Sequence, residues 1–339
     1  MTALAYHLAR ALRRHGLGPG DNIVLDPISH GANVWPWVQL AEASGTEVRW
    51  LPVAEGGECI VDCRGHALAA VVDRRTRLVA ASGASNGVGS VHDVAALCAA
   101  VAELSGDRAL RFVDAVHLAP HARLDVTALG CDFLACSPYK FFGPHAGVLF
   151  GRRELLAELS PDRLDCQDDG LPRPENCHMS RWEIGTQNFE ALAGVTAAVD
   201  YITGLGKRFG GAAPDAPRRE LLDAAWRAVV AHENELKVRF LEGAALIKGL
   251  RLLGVTDPKR AQLRTATFAV AKEGHSAQGL AETLSAKGIW CTGGNHYASF
   301  WSAFSGELTS NEEGMCRLGF LHYNTLAEVE RVLQVLEES

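Results

Sequence analysis

The sequence predicts an α/β fold, because short apolar runs alternate with helical stretches through the first two thirds of the chain and several of those runs end in polar residues. Such alternation describes a mostly parallel sheet between helices, since parallel strands need crossover connections. A stretch rich in glycine, alanine and proline at 206–217 reads as a linker, and the long helical patterns beyond it predict a smaller α+β C-terminal domain. The expected division is a large domain over residues 1–210 and a small one over residues 211–339.

A helix is expected over 3–14, where Leu4, His7, Leu8 and Leu12 fall near one face and Gly16, Gly18, Pro19 and Gly20 end it. Strands are expected at 23–25, 48–52, 76–81, 110–114, 133–136 and 148–151, with helices at 37–43 and 94–104, in a β/α order throughout. The polar stretch 166–181 contains Pro172 and Pro174 and reads as a loop or flap. A long helix follows at 190–205. After the linker come a helix over 221–247, a strand at 267–270, a helix at 277–287 and a terminal helix from Leu326, with no internal repeat.

Composition excludes several functions. With 339 residues and 47% apolar side chains the chain can fill a real core, and a net charge of −7 gives no electrostatic reason to bind nucleic acid or an anionic membrane. No apolar run approaches the ~18 residues of a membrane helix, and the N-terminus lacks a basic segment followed by a hydrophobic one, so the expected location is cytoplasmic. Nine cysteines without a repeating spacing suit a reducing compartment. Cys166, Cys177 and His178 match no zinc spacing, and Cys59 and Cys63 are weaker still, so no metal is expected.

In parallel α/β sheets, ligands bind just past the carboxyl ends of the strands. Three ends here are polar: Asn86 follows one strand, Asp114 and His117 close another, and Ser137, Tyr139 and Lys140 follow a third. An aspartate ending an apolar strand is costly to bury unless a cation meets it. Lys140, about 26 residues later, could present an amine to the same crevice. A carboxylate for a protonated ring nitrogen and a lysine for a Schiff base together suggest pyridoxal 5'-phosphate, used as an electron sink.

The motifs carry this further. Asp114-Ala-Val-His117, Asp125-Val-x-Ala-Leu-Gly-Cys-Asp132-Phe, and Ser137-Pro-Tyr-Lys140-Phe-Phe-Gly-Pro144 followed by Gly147-Val-Leu-Phe-Gly-Arg152 resemble the class V aminotransferase and cysteine desulfurase family. Ser29-His30-x-Ala-Asn33 with Pro36-Trp37, Ala84-Ser-Asn86, Trp182-Glu-x-Gly-Thr186-x-Asn188 and Arg317-Leu-Gly-Phe-Leu-His-Tyr323-Asn-Thr325 fit the same pattern, nearest to the cysteine desulfurase-like subgroup. The resemblance implies a pyridoxal phosphate-dependent transferase of fold type I, with a sheet of the seven-stranded type.

It also implies roles. Lys140 would hold the cofactor as a Schiff base and later shuttle the substrate's α-proton. Asp114 would pair with the pyridinium nitrogen, and His30 would stack on the ring. Asn86 and His117 would hydrogen-bond near the phenolic oxygen. Thr2, Ser137 and Tyr139 would bind the phosphate, helped by the N–H groups that open the first helix. Arg317 would pair with the substrate carboxylate. Gly185 and Thr186 would reach the phosphate in the other subunit of a homodimer.

Two features depart from the family pattern. The family begins well before the phosphate-binding turn, whereas this sequence opens at Met1 and Thr2, so roughly 80 residues are expected to be missing through truncation or a misplaced start. Persulfide formation needs a mobile thiolate, yet Tyr297 stands where the family's cysteine is expected, and Cys291, a candidate nucleophile, lies six residues earlier. The expected function is therefore an enzyme acting on a small amino acid at a C–S bond, as a desulfurase or C–S lyase, with a sulfur-acceptor protein as a partner of the desulfurase route. An epimerase or aminotransferase on the same scaffold, or a truncated pseudoenzyme, are the alternatives. The structural readings also stay open at this stage: Asn86 as a turn residue, Arg317 on an edge strand, and Cys291 as a buried free thiol.

Overall fold

A computed structural model describes residues 1–54, 56, 66–165, 169–171, 181–298 and 314–339. Most of the predicted flap at 166–181 lies outside these residues, as do Cys59, Cys63, Cys166, Cys177 and His178.

Six strands, β1 (Asn22–Leu25), β2 (Glu47–Trp50), β3 (Thr76–Ser82), β4 (Leu110–Asp114), β5 (Phe133–Cys136) and β6 (Val148–Gly151), form a sheet in the order β2-β1-β3-β4-β5-β6. The first five run parallel and β6 is antiparallel to β5. Successive side chains of a strand point to opposite faces, so a strand covered on both sides must be apolar throughout. Ile23 and Leu25 pack with Leu8, Leu12 and Trp37 from α1 (Thr2–Arg13) and α2 (Trp35–Ser44), whereas Val24, between them, packs with Leu68, Leu97 and Val101. Leu68 belongs to the single turn α3 (His66–Ala69), and Leu97 and Val101 to α4 (Val94–Ser105). Two short helices, α5 (Val126–Leu129) and α6 (Arg153–Glu158), precede and follow the last two strands.

The second sheet contains β7 (Leu250–Leu253), β8 (Thr267–Lys272), β9 (Thr292–Gly294) and β10 (Met315–Gly319) in the antiparallel order β7-β8-β10-β9. It packs with α8 (Arg218–Ala244), α9 (Ala277–Ala286) and α10 (Leu326–Glu338) around a core that includes Phe240, Phe268 and Phe320, and α7 (Phe189–Arg208) lies against α8. Among the described residues no helix is long and apolar enough to cross a membrane.

Several expectations need correction. Among the described residues the large sheet has six strands, and β5 passes to the antiparallel β6 without a crossover helix, so the β/α order breaks there. Helix α7 runs on through Arg208, making the start of the predicted linker helical. Gly206 is needed there because an added Cβ would lie 2.0 Å from the Leu221 carbonyl oxygen, so α7 and α8 approach where no side chain fits. Strand β10 is internal, between β8 and β9, so Arg317 is no edge residue.

Between β4 and β6, Asp132 is 1% exposed and accepts hydrogen bonds from Arg111 Nε at 2.6 Å and Nη2 at 2.9 Å, and from Arg152 Nη1 at 3.1 Å. Removing one partner of a buried ion pair strands the other, so Asp132→Ala should lower unfolding stability by about 3–5 kcal/mol, measured by urea denaturation. A loss below about 1 kcal/mol would show that solvent reaches the Arg111 guanidinium after all.

Candidate active site

The carboxyl ends of β1, β3, β4 and β5 open on one edge of the sheet, and the residues just beyond them line a cleft of about 900 Å³. Residues 292–297 and Arg317, contributed by the second sheet, close it from the opposite side. Lys140, Asp114, His30, Asn86, His117 and Ser137 all line this space, as do Tyr139, Thr2 and Arg317. Nine residues spread from position 2 to position 317 thus converge.

Asp114 ends β4 and is 4% exposed. Its Oδ1 accepts the Val116 N–H at 2.9 Å, and burial pushes its carboxyl up to about 7. Lys140 stands on a 3-10 turn, Pro138–Phe141, that directly follows β5. It is accessible within the cleft, yet the protein surrounding its amine and then the Arg317 guanidinium hold it below the usual lysine value. Burial, followed by Lys140 and Arg317, likewise keeps His30 below the ordinary histidine value.

A polar brace aims His30. Asp26, at the end of β1, accepts from Ser29 Oγ at 2.8 Å and from the Ser82 N–H at 3.1 Å. Asn33 Nδ2 donates to Ser29 Oγ at 3.2 Å, and Trp37 Nε1 donates to Asn33 Oδ1 at 3.1 Å. The motif residues Ser29, Asn33 and Trp37 therefore lock the turn that presents His30, whose own Nδ1 accepts the Ala32 N–H at 3.0 Å.

Asn86 and Arg317 join the two sheets across the cleft. Arg317 Nη1 donates to the Asn86 carbonyl at 2.7 Å, and Asn86 Nδ2 donates to the His296 carbonyl at 2.7 Å. His296 and Tyr297 both adopt left-handed backbone, with φ of 52° and 61°, at a cost of about 1–2 kcal/mol each. Bonds from the Gly31 N–H to the Tyr297 carbonyl, 2.8 Å, and between His296 Nε2 and the Met315 carbonyl, 2.9 Å, hold that turn over the cleft. The Tyr297 ring lies 5.1 Å from the His30 ring.

Ser137 Oγ accepts from the Met1 amine at 3.3 Å, and Tyr139 stacks on His145 with ring centroids 4.9 Å apart. His145, His296 and Thr292 also line the cleft and were not singled out from the sequence. His145 sits in the glycine- and proline-rich run after Lys140, the one signal that could have marked it. Gly185 and Thr186 do not reach the cleft. None of the described cysteines lines it either. Cys291 lies in an adjoining cavity of about 380 Å³ that shares Lys140, His117 and Arg317 with the cleft, and its Sγ is 3.8 Å from Cys316 Sγ.

The sequence model of the aminotransferase class-V family matches residues 2–210 and 220–332. The chain belongs to this family. Among curated relatives, an aminotransferase-like protein, FGM3, from Gibberella zeae is 28% identical over 99% of this chain and 76% of its own length. A cysteine desulfurase from Yersinia pestis is 30% identical over 97% of this chain and 74% of its own length. Among solved structures, the apo cysteine desulfurase from Thermococcus onnurineus superposes with a TM-score of 0.81 at 24% identity, covering 99% of this chain and 76% of the other. The cysteine desulfurase CsdA from Escherichia coli gives 0.78 at 24% identity with the same coverage. These likenesses show the fold of a pyridoxal phosphate-dependent enzyme of type I. This class-V chain is a cysteine desulfurase-like enzyme of that kind.

The cleft fits the cofactor its family uses. Asp114 is a buried acid turned to a cavity with, among the described residues, no cationic side chain bonded to it, a place that a protonated ring nitrogen would fill. Lys140 offers an amine with a depressed pKa, and Ser137, Thr2 and the first N–H groups of α1 offer donors to a phosphate.

Burial of Asp114 has a consequence for stability. Its value of about 7 in the folded protein lies above the ordinary carboxylate value, so the folded state binds the extra proton between them. Stability of the cofactor-free protein should therefore fall as pH rises from about 4 to about 7, by something on the order of 4 kcal/mol. Asp114→Asn should flatten that fall in urea titrations at several pH values; an identical slope in both proteins would contradict it.

Proposed function

We propose that this chain binds pyridoxal phosphate covalently through Lys140 and cleaves a C–S bond of a small amino acid. The observation that carries the reading is the convergence of Lys140, Asp114, His30 and Arg317 on one cleft between the two sheets. Bound there, the cofactor supplies an aldehyde that condenses with amines and a ring that accepts the electron pair released at Cα. The depressed pKa of Lys140 leaves more of its Nζ unprotonated, ready to attack and to take or return a proton at Cα. Asp114 holds the ring nitrogen, His30 covers one ring face, and His117 and Asn86 reach the phenolic oxygen. Thr2, Ser137 and Tyr139 hold the phosphate, and Arg317 orients the substrate carboxylate.

The similarity to cysteine desulfurases supports chemistry at sulfur. The lining of the cleft favours the lyase outcome, because none of the described cysteines faces it and Tyr297 occupies the loop that caps it. Cys291, in the adjoining cavity, is the thiol that a persulfide route to a sulfur-acceptor protein would use. Thr186, exposed and away from its own cleft, and Gly185 beside it suit a role across the interface of a homodimer. We place the enzyme in the cytoplasm on its cysteine content.

The purified protein should show a visible absorption band that borohydride fixes onto Lys140, and Lys140→Ala should abolish both the band and at least about 10³-fold of turnover. A folded, dimeric sample that stays colourless after cofactor is added would overturn the catalytic reading. With L-cysteine, release of pyruvate and sulfide that survives Cys291→Ala supports elimination. Alanine with a persulfide on Cys291 would show desulfuration instead, and turnover yielding neither would point to epimerisation or transamination. Arg317→Lys should raise KM by about 10–100-fold, since a point charge replaces a planar fork.

A further inference from the structure

Behind the wall of the cleft lies a set of polar side chains that the chemistry above does not use. His121, on the segment that leaves β4, is 8% exposed, and its Nδ1 lies 2.7 Å from Oε2 of Glu233, which is 3% exposed within α8. The His121 ring meets the His117 ring edge-on, with centroids 5.5 Å apart, and His117 Nε2 lies 3.3 Å from Thr265 Oγ1. Glu233 Oε1 is buried and has no hydrogen-bond partner among the described residues. A carboxylate kept in so dry a place is expensive, and packing alone would be better served by an apolar side chain.

We propose that His121 and Glu233 are positioning residues that fix the ring of His117 and, through it, the proton that His117 presents to the cleft. A carboxylate only accepts hydrogen bonds, so Nδ1 of His121 carries the hydrogen and the plane of that ring is set by Glu233. His117 is then gripped between a ring of fixed orientation and the Thr265 hydroxyl. The grip spans the molecule, since His121 follows a strand of the large sheet whereas Glu233 and Thr265 belong to the part of the chain that builds the second.

The charges around these groups define what should be measured. Burial and then His121, Arg317 and Lys140 hold His117 well below the ordinary histidine value. His322 and His232 face the neighbourhood of His121 and Glu233, and Lys237, one turn further along α8, faces Glu233. Taking away His121 removes one of the groups that depress His117, so its titration midpoint should rise. The proposal rests on the reading of His117 as a cleft residue, not on the identity of the substrate.

The test follows the imidazole resonances of the full chain labelled with nitrogen-15 histidine, with and without added pyridoxal phosphate, using His117→Asn to assign the signal. His121→Gln should raise the His117 midpoint by about one pH unit. Glu233→Leu, which takes away the acceptor that sets the plane of the His121 ring, should shift the midpoint as well, and Glu233→Gln, whose amide oxygen still accepts from Nδ1–H, should restore much of the wild-type behaviour. In the cofactor-loaded protein the pH at which the visible band changes should move in parallel. A His117 midpoint unchanged in both His121→Gln and Glu233→Leu overturns the proposal; should Glu233→Leu fail to fold, His121→Gln, which keeps a donor for Glu233, decides alone. A colourless protein whose midpoint still follows these substitutions would refute the cofactor reading while leaving the positioning role intact.

Discussion

The cleft is organised around the cost of ending a buried strand with an acid. Asp26, directly after β1, and Asp114, the last residue of β4, are both almost wholly buried, and they behave oppositely. Burial pushes Asp26 up, but His92, the Ser29 hydroxyl and the Ser82 N–H outweigh that penalty and bring its carboxyl below the usual range. Asp114 receives one backbone N–H and the weaker pull of the Met1 amine, so burial wins. The first acid is a brace with its valences filled by the protein, and the second is an unfilled valence facing a cavity. A positively charged or protonated partner from outside the chain is what that asymmetry calls for, and the amine of Lys140 stands at the same cavity to receive one covalently.

The second constraint is that both sheets contribute to the site. Asn86 follows β3, and Arg317 lies on β10, so the bond between them holds only if the loop after β3 is tied to the second sheet. Arg264 makes that tie. It is fully buried, and its guanidinium donates to the Val88 carbonyl at 3.2 Å and the Thr267 carbonyl at 2.5 Å, as well as to the Val255 carbonyl, while stacking on Phe268. Carbonyl oxygens spread over three segments thus solvate a cation for which no acid serves as partner among these contacts. The Thr265 N–H bonds to the Gly89 carbonyl beside it, at a turn where an added Cβ would lie 2.2 Å from the Thr267 oxygen. That is a position for glycine on both counts, since its φ is +81°.

The motifs that identify the family separate into chemistry and scaffold once their contacts are known. Asp125 caps α5 through the Thr127 and Ala128 N–H groups, and Asp132 binds two arginines between strands. Thr325 and Glu328 form a reciprocal capping box at the start of α10, and Asn324 accepts the Leu321 N–H, so the ending of the last motif is a helix entry. His322, within it, packs edge-on against Phe142 just after the Lys140 turn. These residues are as recognisable in the sequence as Lys140 or Asp114. Spacing reveals that they matter together, and only contacts reveal which of them face a ligand.

The sequence by itself determined the α/β class, the long helices, the strands of the large sheet with β8 of the second, and the residues at the three polar strand ends, because periodicity and strand-end position are local properties of the chain; β7 and β9 went unread. It marked Lys140, Asp114, His30 and Arg317 before any of them had a neighbour. It did not determine that β6 turns back antiparallel, that Arg317 lies on an internal strand, or that Cys291 sits beside the cleft instead of in it, since pairing partners and cavity walls are set by contacts between distant segments. His121 and Glu233 show the limit most plainly: 112 positions separate them, neither has a distinctive local pattern, and their 2.7 Å contact exists only after α8 has packed against the segment following β4.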